Sequence, residues 1–248
     1  GSQAVTADEE LARLLPVLDA ALTLGVPISV DTKKPLVMRA VLARGADIVN
    51  DINALRLPGA EEAVAAHPGC GVCLMHMRGD PATMQQQPAY DDVVTEVSEF
   101  LRERMKALAE RGVAGERIVL DPGIGFGKSV EHNLALMRRQ RELLVLGRPL
   151  LLGWSRKSTL GAITGRDVSQ RLAGSLAAER SSANADHQRT RWRRRSCSAP
   201  LASPIAMGSV CCAFPVPDAA GRGVASTTVS RQYFRTRSRS PRYDVLSV

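Results

Sequence analysis

The sequence predicts an α/β fold, a parallel β-sheet covered by α-helices, and favours a (β/α) barrel over an open sheet. Short runs that are apolar on both faces alternate with helix patterns along residues 1–179, and such strands belong to parallel sheets covered by helices. Polar residues end every predicted strand, as a site at one end of a barrel requires. The chain has 248 residues, 44% of them hydrophobic, which is enough for one large domain of this kind.

Five strand patterns and six helix patterns follow one another with short links. The strand patterns are short, rich in Val, Ile and Leu, and bounded by Gly, Pro or polar residues; they cover residues 26–32, 47–52, 71–77, 117–123 and 148–157. The helix patterns cover residues 11–25, 34–45, 58–66, 91–112, 130–144 and 167–179. The clearest is 91–112, because its apolar residues recur on one stripe at helical spacing.

The polar strand ends favour the barrel over a doubly wound sheet. The ends of barrel strands converge on one mouth, whereas a doubly wound sheet gathers its polar residues at one switch point. Here all five strand patterns end in polar residues: Asp31, Asn50 with Asp51, His76, Asp121, and Ser155 with Arg156 and Lys157. We therefore expect these side chains to share one site.

The basic charge of the chain belongs to its last 69 residues. The formal net charge is +8, and residues 180–248 hold 12 arginines, no lysine and three acidic residues. The regular pattern ends after residue 179, so we predict two segments, a (β/α) body over 1–179 and an Arg/Ser/Pro-rich tail over 180–248 that is irregular. Domains seldom stop inside a helix pattern, and we interpret the tail as unrelated to the body, as a change of reading frame would make it.

Composition excludes several classes of protein. No run of 18 apolar residues is present, so no membrane span is predicted, and the N-terminus has no signal-peptide pattern; we expect a cytoplasmic protein. Five cysteines are too few and too scattered for a disulfide scaffold. Cys70 and Cys73 form one C-x-x-C pair without a second pair at zinc spacing, which favours two small apolar residues of a strand.

The glycine-rich segment GIGFGKS at 123–129 matches neither common nucleotide-binding motif. A phosphate-binding P-loop needs glycine where Pro122 stands, and a dinucleotide fingerprint needs a different glycine spacing. Three glycines in five residues still indicate a loop whose backbone approaches something flat or anionic; a flexible strand-to-helix turn is the plainer interpretation. Beside the loop, two carboxylates, an amide and an ammonium (Asp31, Asp121, Asn50 and Lys157) match a flat heterocycle with donors on one edge and acceptors on the other.

These segments resemble one enzyme family. SVDT (29–32), VNDI (49–52), LMHMRGDPATMQ (74–85), LDPGIGFGKSVEHNL (120–134) and GWSRKSTLG (153–161) occur in the order found in dihydropteroate synthase. The resemblance covers about residues 1–179 and implies a (β/α)₈ barrel. It also implies an activity of folate biosynthesis, the condensation of 6-hydroxymethyl-7,8-dihydropterin diphosphate with 4-aminobenzoate to give dihydropteroate and diphosphate.

The resemblance assigns roles to individual residues by motif position. It implies that the pterin is held by five residues: Asp31, Asn50, Asp121, Lys157 and Met75. It implies that the aminobenzoate site, where sulfonamides compete, is bordered by Phe126, Ser155 and Arg156. No residue is assigned as an acid or base catalyst. We expect positioning and charge stabilisation to supply the catalysis.

The chain departs from the family pattern at both ends. The family has two strands before the first motif here, which carry an Asn that binds Mg²⁺, and a last strand ending in an Arg-x-His that binds diphosphate. Neither segment occurs in this sequence, so we expect about five of the eight strands, no Mg²⁺ ligand in this chain, and little or no turnover. A homodimer is also expected, because the family often dimerises.

Two alternatives to an enzyme stay open, a non-functional remnant and a weak nucleic-acid binder. RTRWRRR and RTRSRSPR supply charge in the tail, and binding through them would be non-specific and strongly salt-dependent. Within the same fold, a pterin-binding methyltransferase domain is the other candidate, and the SRKS and GFGK segments favour the synthase.

Overall fold

A computed structural model of the chain describes residues 5–79, 84, 88–185, 205–210, 230–236 and 243–247. Within it, four parallel strands form the body of the sheet: β1 (Ile28–Asp31), β2 (Ile48–Asp51), β3 (Gly71–Met75) and β4 (Ile118–Asp121). Each lies inside a predicted strand pattern. The four lie side by side in chain order, the arrangement that repeated right-handed β-α-β crossovers produce.

The fifth predicted strand, at 148–157, is shorter than its pattern. Its pairing is one parallel bridge from Leu150 to Leu120 on the outer side of β4. Two hydrogen bonds hold it: Leu120 N donates to the Pro149 carbonyl (2.9 Å), and Leu151 N donates to the Leu120 carbonyl (2.8 Å). The polar segment Ser155–Lys157 nevertheless follows this strand position, as the sequence predicts.

Helices connect the strands and continue beyond them. In chain order the described α-helices are α1 (Ala7–Leu22), α2 (Pro35–Arg44), α3 (Ala60–Ala65), α4 (Val93–Glu110), α5 (Val130–Arg138), α6 (Gln140–Leu144), α7 (Ser158–Thr164) and α8 (Leu172–Ala185). Side chains cap three of them: the Thr6 hydroxyl accepts from Glu9 N, the Asp92 carboxylate accepts from Val94 N and Thr95 N, and Ser129 forms a reciprocal cap with His132. Such caps satisfy backbone N–H groups that the first turn leaves unpaired. None of the described helices is long and apolar enough to cross a bilayer.

The body's main hydrophobic contacts lie on one face of the sheet. Side chains of alternate strand residues pack with the helices there, as Ile28 and Val30 do with α1 and α2, and as Val72, Leu74, Ile118 and Leu120 do with α3 to α6. The opposite face carries a small apolar cluster of Cys73, Val119 and Leu151. Helices on a single face are the arrangement of a barrel wall, whereas a doubly wound sheet carries helices on both faces.

Segment 180–248, predicted to be irregular, contains regular structure in the part that the structure describes. Helix α8 crosses residue 179 and runs to Ala185, and three strands follow: β5 (Ile205–Val210), β6 (Ser230–Thr236) and β7 (Tyr243–Ser247). They form an antiparallel meander, and β7 pairs in parallel with β1 through Ile28 with Leu246 and Ser29 with Ser247. The physical reason is composition, because these short runs are rich in residues that favour strands. The resulting sheet has seven strands in the order β4-β3-β2-β1-β7-β6-β5.

Candidate functional site

Four of the residues predicted for the site share one face at the carboxyl ends of the body strands. Asp31 is in register with Asn50, and Asn50 with Cys73. Two residues beyond Cys73, Met75 is in register with Asp121. Residues in register, or two apart on a strand, point to the same face. Asp31, Asn50, Met75 and Asp121 therefore lie on the face opposite the helices, which in a barrel is the interior.

Asp31 keeps access to solvent at the end of β1, but its surroundings disfavour its charge. Desolvation by the surrounding protein, together with the negative charges of Asp51, Glu10 and Asp121, raises the pKa of its carboxyl to about 7. A carboxyl with this pKa is present in both protonation states at neutral pH. It can accept from a ring N–H when ionised and donate when protonated.

Asn50 carries a buried oxygen with no hydrogen-bond partner among the described residues. A buried carbonyl oxygen left without a partner is costly and unusual, so its position fits a ligand donor. Its neighbour Asp51 points to the other face and is structural. The Asp51 carboxylate accepts from Asn53 N and from Leu55 N, both at 2.8 Å, and fixes the turn after β2.

Asp121 is buried at the end of β4 and begins the glycine-rich loop. Its carboxylate accepts from Gly123 N at 2.7 Å. Burial raises its pKa, while the Gly123 hydrogen bond and the positive charges of Lys157 and Lys128 act in the opposite sense. The carboxylate is thereby held in one orientation by the loop that follows it.

The loop at 123–127 brings Phe126 and Lys157 together. The Lys157 ammonium donates to the Ile124 carbonyl at 2.6 Å and lies 4.2 Å from the centroid of the Phe126 ring, within cation–π distance. The Gly125 Cα approaches the same lysine so closely that a Cβ there would stand 3.1 Å from Lys157 Cδ. Phe126 belongs to the predicted aminobenzoate half-site and Lys157 to the predicted pterin half-site, so these two residues are in contact where the predicted half-sites adjoin.

Ser155 and Arg156 precede Lys157 in a turn that begins α7. The Arg156 backbone has φ of 51°, a left-handed conformation that costs energy for a residue with a side chain. The turn is held in that conformation, because Arg156 N donates to Ser175 Oγ (2.9 Å) and the Arg156 carbonyl accepts from Arg171 (3.2 Å). Its side chain is exposed and Ser155 is partly buried. Strained backbone of this kind clusters at functional sites.

Two further residues of the site, Lys128 and Asn133, are absent from the sequence-based prediction, and His76 was predicted there only by its place at a strand end. All three are buried. Asn133 accepts from Gly125 N (2.8 Å) and donates to the Ser129 carbonyl (2.8 Å) and to Thr159 Oγ1 (2.9 Å), so it ties the loop to α5 and α7. Their signal in the sequence was weak. Lys128 stands in a segment that matches no common nucleotide-binding motif, and Asn133 lies inside a helix pattern.

The described residues contain no group of three or more His, Cys, Asp or Glu side chains that could hold a metal ion. No set of donors among these described residues is therefore assigned to Mg²⁺. The thiols of Cys70 and Cys73 are both free and buried.

Comparison with known proteins gives consistent matches. Residues 1–190 match the family described as pterin binding enzyme. Dihydropteroate synthase of Escherichia coli (strain K12) is 48% identical over 178 residues, which cover 71% of this chain and 63% of that protein. The chain therefore spans less than two thirds of the length of this relative.

Solved structures agree with the sequence matches. The Yersinia pestis dihydropteroate synthase with a sulfonamide drug superposes with a TM-score of 0.73 at 41% identity, covering 76% of this chain and 68% of that one. The Xanthomonas albilineans dihydropteroate synthase in complex with 7,8-dihydropteroate superposes with a TM-score of 0.68 at 46% identity, covering 74% and 69%.

Proposed function

Since the chain belongs to the family of pterin-binding enzymes, we propose that it acts as a dihydropteroate synthase. The reaction joins 4-aminobenzoate to 6-hydroxymethyl-7,8-dihydropterin diphosphate and releases diphosphate. One observation carries the proposal: Asp31, Asn50 and Asp121 lie on one face at the carboxyl ends of strands in one parallel sheet, and the Asn50 oxygen has no hydrogen-bond partner among the described residues. The Xanthomonas relative, bound to 7,8-dihydropteroate, supports it.

The pterin is held by Asp31, Asn50, Met75, Asp121 and Lys157. Asp121 accepts from the ring N–H and amino donors, since its carboxylate is already oriented by Gly123. Asn50 contributes its unpartnered oxygen, and the buried Met75 side chain packs against the ring. Fixed donors and acceptors of this kind discriminate strongly against rings that leave them unpaired.

The aminobenzoate is held beside Phe126, Ser155 and Arg156. The Phe126 ring supplies an apolar wall, and the exposed Arg156 side chain attracts the carboxylate. Sulfonamides should compete for the same place, and the Yersinia relative was solved in complex with a sulfonamide drug. Because Lys157 contacts the Phe126 ring, it faces both substrates.

Bond breaking and bond making take place at one carbon of the pterin substrate. The bond from the pterin methylene to the diphosphate oxygen breaks, and diphosphate leaves with the electron pair. The electron-rich pterin stabilises the cationic methylene, the aniline nitrogen forms the new C–N bond, and that nitrogen then loses a proton. The protein's residues orient both substrates and stabilise charge, contributions that can supply several kcal/mol of barrier lowering.

The proposal includes the organisation of the chain. Residues 1–179 form the partial barrel that carries both half-sites, and residues 180–248 form a basic C-terminal segment whose strand β7 pairs with β1. We further propose that the protein works in the cytoplasm and as a homodimer.

Substitution of Asp121 tests the proposal through binding, separately from turnover. Titration calorimetry should detect 6-hydroxymethyl-7,8-dihydropterin diphosphate binding to the 248-residue chain. Asp121→Asn keeps an oxygen for Gly123 N but removes the charge, and should weaken binding by about tenfold to a hundredfold, the usual value of a charged hydrogen bond.

Asp19→Asn is the matched control, because Asp19 pairs with Arg44 on the surface and should leave the affinity unchanged. A wild-type chain that does not bind the pterin would contradict the proposal and favour a non-functional remnant.

A further inference from the structure

Lys128 directly follows the glycine-rich loop in the sequence, and its ammonium turns back to contact the backbone of that loop. Its side chain is buried, and its ammonium lies within reach of four acceptors. Its three N–H groups are shared among His76 Nδ1 (2.9 Å) and the carbonyls of Gly123 (3.0 Å), Phe126 (3.0 Å) and His76 (3.3 Å). Burial of an ammonium is costly unless it is hydrogen-bonded, and here the backbone at both ends of the loop supplies the bonds.

The loop packs directly against residues 76–78. A Cβ on Gly123 would stand 1.9 Å from the His76 carbonyl oxygen, and one on Gly127 would stand 2.4 Å from that of Arg78. The Tyr90 hydroxyl donates to the Gly127 carbonyl at 2.9 Å. The His76 ring meets the Phe100 ring edge-on, with centroids 4.9 Å apart, which connects the ammonium to α4.

The two ends of the loop have different anchors. Gly123 is held by the Asp121 carboxylate as well as by Lys128. The carbonyl of Phe126 is held by Lys128, while Gly125 between them is held by Asn133. Lys128 therefore controls the position of the Phe126 ring and its cation–π contact with Lys157. The Asp121 carboxylate depends less on Lys128, because Gly123 N also holds it.

We propose that Lys128 is a positioning residue whose buried ammonium fixes Phe126 against residues 76–78 and so shapes the site for the second substrate, 4-aminobenzoate. The inference rests on the proposed function. Lys128 touches neither substrate; it acts through the backbone of the loop. Its loss should reduce affinity for 4-aminobenzoate and spare the pterin half-site.

The charge of Lys128 makes the effect dependent on pH. Burial lowers the pKa of Lys128 to about 7, with Lys157 and Arg78 acting in the same sense and Asp121 in the opposite sense. His76 stays neutral, because burial and the charges of Lys128, Arg78 and Arg56 lower its pKa to about 3. As pH rises through about 7, the ammonium loses one N–H and its charge. Affinity for 4-aminobenzoate should therefore fall between pH 6 and pH 8 in the wild-type chain.

The test measures the two ligands separately on the full chain. The alcohol 6-hydroxymethylpterin has no diphosphate to lose, so 4-aminobenzoate can be titrated into its complex without reaction. Lys128→Met should lower the affinity for 4-aminobenzoate by about tenfold or more, as loss of a charged hydrogen bond does. It should change the affinity for the pterin far less. It should also abolish the fall in 4-aminobenzoate affinity between pH 6 and pH 8. Lys106→Met is the control, because Lys106 is exposed on α4.

Other outcomes overturn the inference. Equal losses for both ligands would indicate a general structural role, and unchanged affinities with an unchanged pH profile would exclude any role. If Lys128→Met does not fold, the variants His76→Leu and His76→Asn test the inference through the acceptor of the ammonium at His76 Nδ1. Leu removes the acceptor at Nδ1 and Asn keeps one, so only Leu should weaken 4-aminobenzoate, and two equal variants would contradict the inference. A wild-type chain that binds neither ligand overturns the proposed function itself, and the inference with it.

Discussion

At the scale of single residues, the site is defined by carboxyls whose charge the fold disfavours. Asp31 and Asp121 end two strands, and desolvation raises the pKa of both. Groups with shifted pKa values cluster at functional sites, because the same burial that shifts them strengthens their interactions with a ligand. The fold tolerates this cost at Asp121 through a hydrogen bond from Gly123.

Asp31 should make stability depend on pH in a definite direction. Its pKa rises from 3.8 to about 7 on folding, so between these values the folded chain binds more protons than the unfolded chain. Stability then falls as pH rises from about 4 to about 7. Asp31→Asn removes this contribution. The difference in unfolding free energy between the variant and wild type should therefore favour the variant more at pH 8 than at pH 4.5.

Urea unfolding at the two pH values measures the effect of Asp31→Asn. Asp167→Asn is the control, because Asp167 is exposed and its side chain makes no cap hydrogen bond. A difference between Asp31→Asn and wild type that is the same at both pH values would contradict the shifted pKa.

At the scale of elements, the glycine-rich loop joins four parts of the body. It leaves β4, packs on residues 76–78, is tied to α5 by Asn133, and receives Lys157 from the turn before α7. Glycine is required where the loop touches backbone, because no side chain fits there. The loop therefore sets the relative positions of both half-sites.

Gly123→Ala and Gly147→Ala separate steric overlap from backbone strain. Both glycines have φ of +69°, but a Cβ at 123 would meet the His76 carbonyl at 1.9 Å, whereas nothing lies within 4 Å at 147. Gly147→Ala should cost about 1–2 kcal/mol, the value of a left-handed conformation. Gly123→Ala should cost clearly more and should weaken pterin binding, because the hydrogen bond of Gly123 N to Asp121 must shift. Urea unfolding and calorimetry check both, and equal costs would show that the loop moves away freely.

At the scale of the whole molecule, strand β1 is paired along both of its edges, with β2 on one side and β7 on the other. A parallel strand with an unpaired edge exposes N–H and C=O groups that recruit other chains. In the structure β7 pairs with that edge of β1, so the C-terminal segment covers it. This gives β7, residues 243–247, a structural role.

Leu246→Pro should uncover this edge. Proline removes a backbone N–H from β7, which lies between β1 and β6, and a lost backbone bond costs about 1 kcal/mol or more. Sedimentation velocity should then detect more self-association than in the wild-type chain. Val224→Pro, outside the described strands, is the control. If both variants sediment alike, residues 243–247 do not protect β1.

The body of the fold could be predicted from sequence because each of its elements is specified locally. Four strand patterns and the helices between them correspond to observed elements, since apolar runs and helical stripes act over a few residues. Segment 148–157 has the same local pattern but pairs through Leu150 alone. The length of a strand depends on the neighbours available to it, which no local pattern contains.

The sequence by itself determined the family resemblance, the (β/α) body and the residues at the strand ends, because these depend on residue type and spacing. Tertiary structure alone decided that Asp31, Asn50, Met75 and Asp121 share one face, since this depends on strand register. It alone revealed Lys128 among four acceptors and β7 beside β1. Such features join residues far apart in the chain, and their energies exist only once burial and long-range pairing have removed water from the groups involved.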